Sequence, residues 1–160
     1  MSETSTATVT VEHVTIRSTR DFDTVRQALE AALPPLDHGY AALVQAGRAE
    51  EALRRLESGA PLSIFGQRDH GALLRIAGLA RRAVQSDIGN PLTASPMTRH
   101  ALSAALYAPI RVLLREGEDG VAFEYDRPAS TFGQFGNDAV DAVARELDAR
   151  LSDALGEAAG

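Results

Sequence analysis

Apolar and polar positions divide the chain into strands and helices in interleaved order. Thr and Val alternate over 7–17 and predict a strand. Val9 and Val11 fall on one parity, and Val14 and Ile16 on the other. This strand therefore either bulges near His13 or is covered on both sides. Asp21 is placed to cap a helix whose apolar positions are Phe22, Val25, Leu29 and Leu33, and Pro34-Pro35 ends it. A second helical stretch covers 40–58, with Leu53 and Leu56 as its stripe and Glu50–Arg54 and Glu51–Arg55 as i,i+4 pairs. A short strand follows at 62–65. Asp69 then caps a helix of one to two turns carrying Leu73, Leu74 and Ala77, with Gly78 at its stop. A strand at 82–88, the turn Gly89-Asn90-Pro91, a helix over about 93–102 and a strand at 109–115 complete the middle of the chain.

The clearest local signal is a hairpin over 110–126 with Asp119-Gly120 as a two-residue turn. That register sets Arg115 opposite Glu124 and Leu114 opposite Tyr125. Ile110, Val112, Leu114, Val121, Phe123 and Tyr125 then form an apolar face. Arg111, Leu113, Arg115, Ala122, Glu124 and Asp126 form a mostly charged one. A one-residue slip would mix the two. Over 137–155, Val140, Val143, Ala144, Leu147, Leu151 and Leu155 make one helical stripe. Interleaved elements with a tight hairpin predict an α+β fold, an antiparallel sheet covered by helices on one face. A doubly wound parallel sheet would need a Gly-rich βα turn, and none occurs. Residues 7–155 are expected to form one domain, with a disordered start at 1–6 and a frayed tail at 156–160.

Composition narrows the chemistry. The 16 Lys-plus-Arg positions are all Arg, and there is no Cys. This excludes Schiff-base lysines, a P-loop lysine, thiolate nucleophiles and thiolate zinc sites. A net charge of -6 argues against nucleic acid as a partner. No apolar run reaches the length of a membrane span, and the first residues lack the pattern of a signal peptide, so a cytoplasmic location is expected. His13, His38, His70 and His100 show no metal-ligand spacing, and neither a metal nor another cofactor is expected.

Three stretches carry a resemblance: Asp69-His70-Gly71-Ala72, then Ile88-Gly89-Asn90-Pro91-Leu92 with Met97, then the run from Leu106 to Leu113. The segment from Tyr125 to Ser130, followed by Gly133-Gln134-Phe135-Gly136, adds to it. The chain resembles the bacterial domain-of-unknown-function family 302 over roughly 62–155. The resemblance implies a curved antiparallel sheet similar to the TATA-binding-protein-like group, and a homodimer. It implies no established activity. Many relatives carry GNP-x-x-Gly-Thr, whereas this chain has Leu92-Thr93-Ala94 after Pro91.

These stretches also supply the candidate site residues. His70 follows the capping Asp69 and is either a catalytic base or a structural histidine bonded to a nearby carbonyl. Asn90 is either a turn residue or a ligand donor and acceptor. Arg111 and Asp126 are diagonal neighbours in the register above, so they either form an ion pair across the ladder or Arg111, like Arg127, receives a ligand carboxylate or phosphate through its planar fork, with Asp126 as a candidate catalytic residue. Tyr107 and Tyr125 offer hydroxyls. Phe132 and Phe135 suit a lid or a dimer contact, and Met97 suits the core. The expected function is binding of a small polar or anionic molecule between sheet and helices. The alternatives are a cofactor-independent isomerase, lyase or cyclase using His70 as base, and a structural module in which the last helix and the hairpin faces serve assembly.

Overall fold

A computed structural model describes residues Met1–Gly160. Five strands, β1 (His13–Ser18), β2 (Ser63–Asp69), β3 (Ala83–Gly89), β4 (Ile110–Gly117) and β5 (Gly120–Asp126), form one antiparallel sheet in the order β1-β5-β4-β3-β2. The helices are α1 (Phe22–Ala32), α2 (Tyr40–Gln45), α3 (Ala49–Glu57), α4 (His70–Ile76), α5 (Pro91–Thr98), α6 (Pro128–Phe132) and α7 (Asp138–Ala159). Short 3-10 helices lie at Leu102–Tyr107 and Gly133–Phe135. The fold is α+β with an open antiparallel sheet packed by helices, as the patterning predicts.

Side-chain period sets the two faces of the sheet. Val14, Ile16, Val84, Ile88, Val112, Leu114, Phe123 and Tyr125 point to the face covered by α1 and α7. There they join Phe22, Val25, Leu29, Val140, Leu147 and Leu151 in one core. The other face presents His13 and Arg17, Glu124 and Asp126, Arg111 and Arg115, and Gln85 and Asp87. These side chains are exposed or half-buried.

The Asp21 and Asp69 caps form as the sequence predicts, and Asn137 adds a third. Asp21 accepts from Thr24 N at 3.0 Å, Asp69 from Ala72 N at 3.0 Å, and Asn137 from Ala139 N and Val140 N at 3.0 and 3.1 Å.

The departures have local physical causes. The first strand begins at His13, leaving the exposed Val9 and Val11 outside the sheet, so its two parities never compete. The stretch 40–58 is two helices, because Gly47 takes a left-handed φ of 75° between them. Ala52 is buried there while Leu53 is exposed, and Arg55 pairs with Asp37 rather than Glu51. The helix after the Gly89-Asn90-Pro91 turn starts at Pro91 and ends at Thr98. The hairpin keeps its two faces but shifts its partners by two residues. Val112 faces Tyr125, Leu113 faces Glu124, and Gly117 faces Gly120 across Glu118-Asp119. The tail expected to fray is helical to Ala159. Ala158 and Ala159 are buried, and Ser18 Oγ donates to Ala159 O at 2.6 Å.

Candidate functional site

The expected site residues do not line one pocket between sheet and helices. His70, Arg111 and Asp126 instead meet on the open face of the sheet. They line a shallow hollow of about 490 Å³ with His13, Gln85, Leu113 and Glu124, and Tyr125 borders it. A neighbouring hollow of about 550 Å³ shares Arg111 and Asp126 and adds Tyr107, Arg68 and Asp87. Strand parity puts Gln85, Asp87, Arg111, Leu113, Glu124 and His13 on this face together. The sequence reading omitted His13, Gln85, Arg68 and Asp87 as site residues. The signal for the strand residues was the polar parity of β1 and β3.

Arg111 is the distinctive group. It is exposed, lies in the interior of the five-strand sheet, and has no ion-pair partner, although its ladder neighbour is a carboxylate. That neighbour, Asp87, is held by Arg68 at 2.9 Å. Asp126 is taken by His13 Nδ1 at 3.4 Å, and Glu124 by Arg115 at 2.7 Å. The expected ion pair between Arg111 and Asp126 is not formed. Every acid around Arg111 is committed elsewhere, so the guanidinium keeps its donors free.

His70 sits at the first position of α4, where the Asp69 cap fixes it. Its Nε2 lies 3.0 Å from Gln85 Oε1. With the amide oxygen accepting, Nε2 carries the proton and Nδ1 is the basic nitrogen. Gly71 lets α4 approach: a Cβ there would meet Arg81 O at 2.6 Å. Asp126 bonds His13 rather than His70, so the two candidate catalytic residues do not form an orienting pair.

The remaining expected residues are engaged elsewhere. Asn90 caps α5 by accepting from Leu92 N at 2.8 Å, and its Nδ2 donates to Pro61 O and Ala60 O at 3.0 and 3.3 Å. Arg127 ion-pairs with Glu12 at 2.9 Å and Asp148 at 3.3 Å. The Tyr125 ring points into the core, and burial raises the pKa of its phenol. Tyr107 donates to Gln134 Oε1 at 3.4 Å and meets Phe132 and Phe135 edge-on. Phe132 is fully buried and Met97 nearly so, both in the core.

The comparisons agree with this architecture. The family described as "Domain of unknown function DUF302" matches residues 43–158. The chain belongs to the DUF302 family. The crystal structure of an uncharacterized conserved protein DUF302 from Bacillus stearothermophilus superposes with a TM-score of 0.67 at 15% identity, covering 91% of this chain and 96% of that one. At that identity the likeness concerns the fold. No curated protein matches the chain. No helix of this DUF302 domain is long and apolar enough to cross a membrane, and no cluster of His, Asp and Glu could hold a metal ion.

Proposed function

We propose that this DUF302 domain binds a small molecule carrying a carboxylate or phosphate on the open face of its sheet. The observation behind the reading is Arg111, a guanidinium whose neighbouring carboxylates are all engaged by other side chains. His70 and Gln85 flank it with a free ring nitrogen and an amide, which suit the polar remainder of such a ligand.

The test is calorimetric titration of the full chain with inorganic phosphate and with malonate. Charge-assisted hydrogen bonds contribute about 1.5–3 kcal/mol each, so Arg111→Ala should weaken binding by roughly 10- to 100-fold. Arg111→Lys should recover only part of it, because an ammonium cannot bind bidentately. Arg127→Ala should bind as the parent does. Equal affinity in Arg111→Ala, or no binding of either anion, would refute the reading.

The homodimer belongs to the same proposal. Leu106, 80% exposed, borders the hollow beside Arg111, and Leu102 in the same 3-10 helix is 81% exposed. Such leucines suit burial under a second copy. Light scattering of the full chain should give twice the chain mass and, for Leu106→Glu, the single mass. A parent that scatters as a monomer would remove this part of the proposal.

A further inference from the structure

Across the sheet from Arg111 lies a cleft of about 310 Å³ at the ends of β2, β3 and β4, closed by α2, α5 and α7. Native cores seldom leave voids much larger than a water molecule, and this one lies at the lower end of the size range of small-molecule sites. Local structure keeps it open. One extra residue in β2 against β3, between Ile64 and Gly66, is a bulge at Phe65, which places its side chain in the cleft wall. Gly89 is buried, and a Cβ there would meet Pro109 Cβ at 3.4 Å and Phe65 Cε1 at 3.6 Å, both cleft-lining residues. Met97 forms part of the floor with a side chain that adapts its shape.

The chemistry of the lining is distinct from that of the open face. No Arg, His, Asp or Glu contributes to it, in a chain that is 24% charged. Ile88, Ile110, Met97 and Phe65 supply apolar wall. Tyr40 and Thr93 line the cleft and their hydroxyls form no hydrogen bond within the chain, whereas the Thr98 hydroxyl donates to Ser95 O at 3.4 Å. An ionic ligand would be desolvated here without a counter-charge.

We propose that this cleft is a second binding site, for a small, uncharged, mostly apolar molecule with one hydroxyl or carbonyl end that hydrogen-bonds to Tyr40 and Thr93. This site shares no lining residue with the hollow of His13, His70, Gln85 and Arg111, and its failure would leave the Arg111 reading untouched.

The probe is 2-naphthol, with naphthalene-2-carboxylate as its charged counterpart. Titration of the full chain should move the methyl resonances of Met97, Ile88 and Ile110, with naphthalene-2-carboxylate binding at least tenfold more weakly. Ala94→Phe fills the cleft, and Ala105→Trp blocks its mouth from an exposed position that leaves the core intact. Each should weaken 2-naphthol at least tenfold, while Arg111→Ala binds it as the parent does. The proposal is overturned if 2-naphthol fails to bind up to its solubility, if Ala105→Trp binds it equally well, or if the shifts fall on the open face instead.

Discussion

Removing the Asn90 side chain separates a structural role from a ligand-binding one, and the structure sets the size of the effect. Its Oδ1 caps α5 through Leu92 N at 2.8 Å, and its Nδ2 ties the turn to Pro61 O at 3.0 Å and Ala60 O at 3.3 Å. Loss of an N-cap costs about 1 kcal/mol. A neutral hydrogen bond contributes about 1 kcal/mol net, and the longer of the two contributes less. Asn90→Ala is therefore expected to destabilise the domain by about 2–3 kcal/mol, which for this size lowers Tm by roughly 5–10 °C. Asn90→Ser keeps a capping oxygen but cannot reach both carbonyls, and should fall between Ala and the parent. Urea denaturation followed by far-ultraviolet dichroism, with linear extrapolation, measures both variants. If Asn90→Ala cost less than about 0.5 kcal/mol, below any N-cap loss, the reading of Asn90 as a structural clamp would fail.

Two further perturbations probe the charge network. The Arg115 guanidinium, and to a lesser extent Arg17, holds the Asp119 carboxyl down to about 2 from its ordinary 3.8. A lowered folded pKa contributes stability that is complete above the ordinary value and is lost as pH falls towards about 2. Urea midpoints of the parent should drop over that window, and Asp119→Asn should show a smaller drop; identical acid profiles would contradict this. Separately, Arg68→Ala releases Asp87 from its 2.9 Å ion pair, directly across the ladder from Arg111. Phosphate affinity should fall although Arg111 is unchanged, and calorimetry showing unchanged or tighter binding would refute the idea that neighbouring cations keep Arg111 free.

Much of the fold is legible in the sequence wherever the signal is local. Asp21 and Asp69 announce two helix starts because a cap needs only its own residue and the next three. The faces of β4 and β5 are legible because parity survives any even shift in register. Where the chain depends on distant partners, the reading fails. Ala158 and Ala159 look like a small-residue tail, yet they are buried and Ser18 holds the backbone at Ala159. Asn90 and Arg127 look like ligand groups because their chemistry suits ligands, but Ala60, Pro61, Asp148 and Glu12 occupy them. No local pattern shows that a polar side chain is already engaged by residues distant in sequence.

Arg111 shows the same limit from the opposite direction. The sequence register put it diagonal to Asp126 and made an ion pair its ordinary fate. The observed register is set by the Gly117–Gly120 closure. There the Arg115 guanidinium binds Asp119, and a side chain at 117 would meet Arg115 Nη1 at 2.7 Å. The two-residue shift leaves Arg111 on the same face and brings its neighbours closer, which should favour pairing. Pairing does not occur because β1 contributes His13 to Asp126 and β2 contributes Arg68 to Asp87. These strands lie on opposite edges of the sheet and are far from β4 in sequence. The free guanidinium is therefore a property of the assembled sheet. Within a face that parity already defined, the competition of His13, Arg68 and Arg115 for a few carboxylates decides that Arg111 is the guanidinium left unpaired.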